Sequence, residues 1–313
     1  MKTDLLTMGA IDQDIYLNVI KYPHYGQNVR VQKVEKDVGG KGSNQAVTVA
    51  KQGLNCVLIG ALGKDNAATQ ILSELKSYKV GVDYIVKKAD KPTGSAYAVV
   101  DKTGENTFLV DLGANNILNK ADVDTVFKNV ETKTILMNLE TDKEASLQAL
   151  KNAQQRKMKV ILDPAPATSI FKEAVSYADI VTPNIEEAET LSDMSIKTVG
   201  DYRRAAVKIS DLGVENVIIT LGKNGSLLYE KSKDKFTKIN SYKVKAVNTV
   251  GAGDTYDGVL AARLVKGDNL ASAIKYATAA SALKVTRNGG HKAIPTNPEI
   301  EKFIKNNPKV RIS

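Results

Sequence analysis

The chain has 313 residues, of which 42% are hydrophobic and 25% charged, as expected for a soluble globular protein with a large core. The formal net charge is +9, but the basic residues are scattered and not interleaved with aromatic rings, which argues against a nucleic-acid groove. A single cysteine excludes a disulfide framework, and no apolar stretch approaches the ~20 residues of a membrane span. We therefore expect a cytoplasmic protein with no nucleic-acid or membrane partner.

The first predicted element is a short strand in the apolar run 5–11. Two acids, Asp12 and Asp14, follow shortly after Gly9 in this run. Open α/β sheets bind ligands beyond the carboxyl ends of their strands, so the two acids are candidate binding residues. A solvated turn is the alternative interpretation. Residues 15–37 lack a helical period, but their apolar residues alternate, which predicts strands of a small sheet or flap.

A glycine-rich segment at residues 39–46 (GGKGSNQA) opens the first predicted helix. Glycine lets a ligand approach the backbone closely, while Lys41 and Asn44 supply hydrogen-bond donors. The segment does not match a Walker A loop. A later glycine-rich segment fails as a dinucleotide fingerprint, because Tyr256 stands where the third glycine belongs.

From residue 55 onward, predicted strands and helices alternate with short connections, which indicates a mainly parallel sheet covered on both faces. Residues 93–111 interrupt this pattern as a predicted hairpin with Gly104 in its loop. Strands are predicted at 57–61, 84–86, 134–138, 160–163 and 217–221, and helices at 67–79, 120–129, 142–156 and 268–287.

Two later segments combine strand ends with polar or glycine residues. Asn184 and Glu187 suit an N-cap and a first helical turn, and capping alone explains most of that segment. The strand 217–221 runs into Gly222 and Gly225, where the backbone could pass close to a nucleotide. His24 and His291 are far apart in sequence, so we expect loop or surface histidines and no histidine-ligated metal site.

The segment Asn248–Gly258 places Gly251, Ala252 and Gly253 between a β-branched run and an apolar-periodic segment. It predicts a strand or extended turn followed by a helix whose first turn has almost no side chains. Such a turn exposes N–H groups and the positive end of the helix dipole, which suits an anion. Asp254 is then either a helix cap, worth ~1 kcal/mol, or a general base beside a phosphate. This segment alone leaves both interpretations open.

These motifs resemble, in order and spacing, those of the ribokinase branch of the carbohydrate and purine kinase superfamily, the phosphofructokinase-B-like family. Residues 39–46 resemble its first signature and residues 250–255 (VGAGDT) its second. Between them stand LGAN at 112–115, DPAP at 163–166, TPN at 182–184 with Glu187, and TLG at 220–222 with Gly225. The resemblance covers essentially the whole chain.

The resemblance implies a ribokinase-like α/β fold with a mainly parallel central sheet, helices on both of its faces and a small β-sheet lid. We expect one domain over residues 1–313, with the lid formed by the inserts at about 13–37 and 93–111. In ribokinases the lids of two subunits pack together, so the resemblance also implies a homodimer through the lid.

The resemblance further assigns roles to individual residues. Asp254 is expected to deprotonate the sugar hydroxyl, with Gly251, Ala252 and Gly253 as the anion hole. The expected sugar contacts are Asp12, Asp14, Gly40, Lys41, Asn44, Glu140 and Asp254. The expected nucleotide contacts are Asn184, Thr220, Gly222, Gly225 and Thr278, and Glu187 is expected to organise the Mg²⁺ of ATP through water.

The chain departs from the family pattern at two positions. Ribokinases usually carry Asn in place of Asp12, so the sugar site is more acidic here. They usually carry Asp in place of Asn248, which helps to bind an activating monovalent cation, and neutral Asn gives up a full charge. We therefore expect a K⁺ site that is weak or absent. Its expected ligands are Asn248, Val250, Val285, Asn288 and Gly290.

The expected activity is that of an ATP-dependent sugar kinase that phosphorylates the 5-hydroxyl of D-ribose. A kinase of the same family that acts on deoxyribose, another sugar or a nucleoside is the alternative. A sugar-binding protein without catalysis is a remote alternative, because Asp254, Gly251, Gly253 and Glu187 are all retained.

Overall fold

The computed structural model describes residues 1–103, 105–168 and 172–308. Their strands form two sheets. The strands are β1 (Leu5–Met8), β2 (Asp12–Val19), β3 (Val31–Gly39), β4 (Cys56–Leu62), β5 (Ile85–Lys87), β6 (Gly94–Val100), β7 (Asn106–Asp111), β8 (Thr134–Asn138), β9 (Lys159–Asp163), β10 (Ile180–Val181), β11 (Asn216–Thr220), β12 (Ser226–Glu230) and β13 (Lys235–Ile239). The helices are α1 (Lys41–Lys51), α2 (Asn66–Ser77), α3 (Lys120–Asn129), α4 (Lys143–Gln155), α5 (Lys172–Val175), α6 (Ile185–Ser192), α7 (Val199–Ser210), α8 (Ala252–Val265), α9 (Leu270–Val285) and α10 (Asn297–Asn306).

The large sheet has nine strands in the order β13-β12-β11-β10-β9-β8-β1-β4-β5. Neighbours from β11 through β5 are parallel, as the alternation of strands and helices predicts. The pairs β11–β12 and β12–β13 are antiparallel, and this edge is not among the predicted elements.

Both faces of the large sheet are buried because successive strand residues point to opposite sides. Leu5 and Leu58 belong to one hydrophobic cluster, together with residues of α1, α2, α8, α9 and α10. Leu6 and Val57 belong to the other, together with residues of α3, α4, α6 and α7. The predicted sheet with helices on both faces is confirmed.

The small sheet has four strands in the order β3-β2-β6-β7. Residues 12–39 and 94–111 contribute these strands, so the two inserts predicted to form a lid do build a separate sheet. Gly104, predicted in the hairpin loop, lies outside the described residues. Because β2 begins at Asp12, shortly after β1 ends at Met8, Asp12 and Asp14 lie where the two sheets meet.

Other predicted boundaries shift by a few residues. The apolar run 5–11 forms a strand only as far as Met8. The segment before α8 is the predicted extended turn and pairs with no sheet. Helix α9 ends at Val285, before the residue at which the sequence predicts its end. None of the helices in the described ranges is both long and apolar enough to cross a membrane.

Candidate active site

Asp254 lies in the first turn of α8, which packs against α1, and the residue is 5% exposed. Its Oδ2 accepts a hydrogen bond of 2.8 Å from Nδ2 of Asn44, and its Oδ1 lies 3.7 Å from Nζ of Lys41. This Oδ1 is buried and has no hydrogen-bond partner within the described ranges. A buried acceptor is normally satisfied, so the arrangement suits a ligand hydroxyl that donates to this oxygen.

The capping interpretation of Asp254 does not fit this geometry. The N-cap of α8 is Gly251, and no side chain caps the helix through a hydrogen bond. Helix α6 shows the contrast, because there Asn184 and Glu187 form a capping box as their sequence predicts. The Asp254 carboxylate instead points toward α1 and its two polar side chains.

Lys41 connects Asp254 to a second acid. Its Nζ lies 3.3 Å from Oδ2 of Asp163, which also accepts a hydrogen bond of 3.1 Å from Nε2 of Gln45. Burial acts to lower the pKa of Lys41, but the surrounding carboxylates, Asp163 and Asp254 foremost, raise it well above its ordinary value. Lys41 therefore remains an ammonium. Burial raises the pKa of Asp254, and Lys41 opposes that rise.

The first turn of α8 presents unpaired backbone donors. The N–H of Ala252 donates to the carbonyl of Thr249, at 3.2 Å, and is engaged. The N–H groups of Gly251, Gly253 and Asp254 have no acceptor in the part of the chain that the structure describes. Free N–H groups are therefore present at Gly251 and Gly253, two of the predicted anion-hole residues, and at Asp254, whereas the N–H of Ala252 is engaged.

Gly253 leaves open space in front of these donors. A Cβ at this position would meet no heavy atom within 4 Å. Gly251 differs, because it adopts a left-handed conformation with φ of 71° that favours glycine. Packing therefore does not account for the glycine at 253, whereas conformation accounts for the glycine at 251.

The predicted sugar contacts include two acids at the start of β2, Asp12 and Asp14. Asp12 is buried and accepts a hydrogen bond of 2.8 Å from Nδ2 of Asn115, a residue that carried no predicted role. Burial and Asp14 raise the pKa of Asp12 to about 7. Burial and Asp37 raise the pKa of Asp14 to about 7. Burial and the neighbouring negative charges therefore favour the protonated forms of these two carboxyl groups.

Glu140 and Gly40 complete the predicted sugar side. Burial raises the pKa of Glu140 to about 8 in spite of the opposing charge of Lys41. Gly40 has φ of 86°, and a Cβ there would lie 2.5 Å from the Ala10 carbonyl oxygen. Its glycine is therefore needed to start α1 beside the end of β1.

Asp257 is a residue of this site that the sequence analysis missed. It lies one turn after Asp254 in α8, is buried, and its Oδ1 lacks a hydrogen-bond partner among the described residues. Burial and then Asp163 raise its pKa well above the ordinary value. The spacing of two acids by three residues on one helix was the available signal, since such residues share a face.

The predicted nucleotide contacts divide into two groups. Four of them line a cavity of about 130 Å³ next to the start of α8. These are Thr220, Gly222, Gly225 and Thr278, with Ala252 and Gly253 on the same cavity wall. Asn184 is exposed at the start of α6 and does not line it.

The acids of the site fit a Mg²⁺ ion that arrives with nucleotide phosphates. Burial and then Asp163 raise the pKa of Glu187 to about 7, and the Oδ1 of Asp257 is buried without a partner among the described residues. In the same part of the chain, no group of three or more His, Cys, Asp or Glu side chains is arranged to hold a metal by itself. Mg²⁺ commonly takes one or two carboxylates and completes its shell with phosphate and water.

Several of the predicted K⁺ ligands make hydrogen bonds within the protein. The Val285 carbonyl accepts N–H bonds from Val247 and Asn248, at 2.6 and 3.1 Å. The Asn248 Oδ1 accepts the N–H of Val250 at 2.9 Å, and the Gly290 N–H donates to Asp37 at 2.9 Å. The sequence analysis missed a basic residue whose ammonium reaches this group, Lys284.

Lys284 is 1% exposed. Its Nζ donates to the carbonyl oxygen of Val250 at 2.9 Å and to that of Gly289 at 3.1 Å.

The expectation for the histidines needs one correction. His24 is exposed, as expected, but His291 is completely buried. Its Nδ1 lies 2.9 Å from Oε1 of Glu74, and its Nε2 lies 3.3 Å from Oγ of Ser43. The ring thus connects α2 to the start of α1, and a buried role was missed because an isolated histidine carries no periodic signal.

Known proteins resemble this chain over nearly its whole length. The model of the pfkB family carbohydrate kinases matches residues 2–297. The chain is 33% identical over 306 residues to a ribokinase of Staphylococcus aureus, covering 96% of this chain and 99% of the relative. It is 28% identical over 308 residues to a deoxyribokinase of Salmonella typhi, covering 97% and 99% of the two chains. The structure of Arabidopsis thaliana ribokinase complexed with ribose and ATP superposes with a TM-score of 0.88 at 28% identity, covering 97% and 99%.

Proposed function

The chain belongs to the pfkB family of carbohydrate kinases, and we propose that its sugar acceptor is D-ribose. Membership makes it a phosphotransferase that acts on a sugar hydroxyl. In the proposed reaction the γ-phosphoryl group of ATP passes to the 5-hydroxyl, giving D-ribose 5-phosphate and ADP. The observation that carries the proposal is the buried, unpartnered Oδ1 of Asp254 beside the bare first turn of α8, as the described residues place it.

Asp254 is the proposed general base. Its Oδ1 accepts the proton of the 5-hydroxyl while that oxygen forms a bond to the γ-phosphorus and the bond to the β,γ-bridging oxygen breaks. The hydrogen bond from Asn44 holds the other carboxylate oxygen, which fixes the direction of Oδ1. A pKa raised by burial suits a base that must take up a proton near neutral pH.

The N–H groups of Gly251 and Gly253 are the proposed anion hole for the phosphoryl oxygens. They donate to no protein acceptor in the described ranges, and they stand at the positive end of α8. One such donor is typically worth ~2.7–4 kcal/mol of transition-state stabilisation. Lys41, held as an ammonium between Asp163 and Asp254, adds a positive charge beside Asp254.

The nucleotide is proposed to lie in the cavity lined by Thr220, Gly222, Gly225 and Thr278, with its phosphates at the start of α8. Asn184, which lies outside this cavity, is still a proposed contact of the nucleotide. Mg²⁺, when bound with ATP, screens the phosphate charge, and Glu187 is the proposed acid that holds it through water. On the sugar side, Asp12, Asp14, Gly40 and Glu140 are the proposed contacts.

We also propose that residues 1–313 act as one domain and that the small sheet serves as a lid through which two copies pair. Several large apolar residues of this sheet are exposed, which is unusual unless a partner covers them. They are Val31, Val34, Tyr97, Phe108, Leu109 and Val110. Sedimentation of the wild type against a Leu109→Lys, Val110→Lys double variant tests the pairing. A wild type that sediments as a monomer at micromolar concentration overturns it.

The acceptor is tested by ADP release from ATP and Mg²⁺ across pentoses, hexoses and nucleosides. We expect the highest kcat/KM with D-ribose. Turnover confined to another acceptor keeps the kinase and replaces the sugar. A folded protein that releases no ADP with any acceptor contradicts the proposed reaction.

Deoxyribose is the second candidate acceptor, because Asp12 departs from the Asn that ribokinases usually carry and leaves the identity of the sugar open. The deoxyribokinase relative supports the same acceptor. The ratio of kcat/KM for ribose and deoxyribose, measured in the wild type and in Asp12→Asn, separates the two. If Asp12 selects deoxyribose, the wild type prefers it and Asp12→Asn shifts the preference toward ribose.

A further inference from the structure

Lys284 is the largest fully buried side chain that the proposed reaction does not use, among the residues that the structure describes. It lies in the last turn of α9, where a lysine usually extends into solvent and interacts with the helix dipole. Here the side chain turns inward, and its Nζ donates to the carbonyls of Val250 and Gly289. Removing an ammonium from water is costly, so its burial demands strong partners.

The two carbonyls belong to segments from which the resemblance predicts ligands for K⁺. Val250 is itself a predicted ligand, and Gly289 lies between the predicted ligands Asn288 and Gly290. Distances of 2.9 and 3.1 Å from Nζ to the two oxygens are those of hydrogen bonds to an ammonium. The Lys284 ammonium therefore takes the place that a monovalent cation would need.

The space around the Lys284 ammonium is small. A cavity of about 10 Å³ lies between Asn248, Val250, Gly251, Lys284 and Gly290, close to the least room that one water molecule needs. A K⁺ ion at the Val250 and Gly289 carbonyls would meet the like charge of the Lys284 ammonium.

The charges around Lys284 favour its protonated form. Burial lowers the pKa of Lys284 below its ordinary value, but Asp254 and then Asp37 oppose that lowering, and both carbonyl partners accept hydrogen bonds from the ammonium. The Asp37 carboxylate also accepts the N–H of Gly290, so it lies against the same loop.

The position of Lys284 relates it to the anion hole. Val250, whose carbonyl it binds, directly precedes Gly251, and a Cβ on Gly251 would contact Cε of Lys284 at 3.8 Å and Oδ2 of Asp254 at 3.8 Å. The lysine therefore ties the turn that starts α8 to the loop that follows α9.

We propose that Lys284 is a built-in monovalent cation, a positioning residue that holds the anion-hole turn and makes the enzyme independent of K⁺. The Asn at position 248 agrees with this role, because a tethered ammonium already supplies the charge that an Asp would attract. This inference rests on the proposed kinase reaction, but its structural half, cation binding at this place, can be measured without any turnover.

The first test compares K⁺ with N-methylglucamine at equal ionic strength. The wild type should give equal turnover and an equal unfolding temperature in the two salts. Lys284→Ala should lose about 10- to 100-fold in turnover in N-methylglucamine, because the anion-hole turn loses its anchor. K⁺ or NH₄⁺ should restore part of that loss and raise the unfolding temperature of the variant by about 2 °C or more.

Lys51→Ala is the matched control. The Lys51 ammonium also donates to two carbonyls, those of His291 and Ile294, at 2.6 and 2.8 Å, and both lie outside the anion-hole turn. Its loss should lower the unfolding temperature in both salts alike, with no response to K⁺. Lys284→Arg, which keeps the charge, should remain insensitive to K⁺.

Two results overturn the proposal. One is a wild type whose turnover or unfolding temperature rises with K⁺ over N-methylglucamine. The other is a Lys284→Ala variant with full turnover in both salts. If Lys284→Ala does not fold, the wild-type unfolding temperature in the two salts still decides. Absence of any turnover in the wild type contradicts the proposed reaction and leaves the unfolding comparison intact.

Discussion

The two helix starts that meet at the site, those of α1 and α8, are both rich in glycine but for different reasons. At α1, a Cβ on Gly40 would lie 2.5 Å from the Ala10 carbonyl oxygen, and a Cβ on Gly42 would lie 2.5 Å from the carbonyl carbon of Gly9. At α8, a Cβ on Gly253 would meet no atom within 4 Å. Backbone crowding therefore requires the glycines of α1, whereas the space at Gly253 is not filled by the fold.

The two helix starts therefore contribute differently to one site. The start of α1 is fixed against β1 and supplies side chains, Lys41 and Asn44, to a carboxylate on the other helix. The start of α8 supplies backbone donors and the carboxylate itself. Substitutions at α1 glycines should therefore act on stability, and those in the first turn of α8 should act on turnover.

The largest expected effect is at Asp254. Asp254→Asn should lower turnover by ~10²-fold or more, because amide nitrogen and oxygen cannot accept the proton of the sugar hydroxyl. The fold should persist, since burial disfavours the charge that the substitution removes. Asp122→Asn, a change in the cap of α3, is the control and should keep full turnover. A folded Asp254→Asn with full activity removes Asp254 as base.

Gly253→Ala should have the next largest effect. It should lower turnover without lowering stability, unlike a substitution at an α1 glycine. The methyl group enters the space in front of the anion-hole donors, so turnover should fall about tenfold or more. Alanine favours a helix over glycine, so the free energy of unfolding should rise by ~0.5–1 kcal/mol. Initial rates and urea unfolding on the same preparation measure both. A rise in stability with unchanged turnover would place the phosphoryl group elsewhere.

Gly42→Ala is the matching change at α1 and should behave in the opposite way. Its Cβ would overlap backbone atoms of Gly9, so the free energy of unfolding should fall by ~1–3 kcal/mol. Urea unfolding measures this loss. A Gly42→Ala variant as stable as the wild type would show that the close approach of α1 to Gly9 is not needed.

The last prediction concerns the pH dependence of stability at Asp12. Its pKa rises from 3.8 to about 7 on folding, through burial and Asp14. The folded state therefore holds this proton more tightly, and its contribution to stability is lost as pH rises from about 4 to about 7. Asp12→Asn should remove up to ~1.4 kcal/mol per pH unit of that slope. Denaturant unfolding of the two unliganded proteins between pH 4 and 8 measures the slope. Equal slopes in the wild type and in Asp12→Asn would show that Asp12 has an ordinary pKa.

The sequence predicted the large sheet well because its central strands are continuous apolar runs buried on both faces, such as 57–61 and 134–138. The β12–β13 edge was not predicted, since two of the five residues of β13 are lysines and the segment resembles a solvated one. Periodicity reports burial, and an edge strand that is half exposed gives a weak signal.

At the site, the structure brings Asp254 into contact with Lys41 and Asn44, because the two motifs that carry these residues each start a helix at one edge of the sheet. Lys284 was missed because a lysine in the last turn of a helix is normally solvated. Its burial depends on carbonyls from two loops distant in the chain from one another, and no local pattern encodes that meeting.

The most direct test of the proposed reaction is the identity of the phosphorylated product. D-ribose, ATP, Mg²⁺ and the enzyme are followed by ³¹P and ¹³C NMR, which locate the carbon that bears the new phosphate ester. We predict D-ribose 5-phosphate, with one ADP formed for each phosphate ester. Phosphate on another ribose hydroxyl, or ADP and free phosphate without a sugar ester, would contradict it.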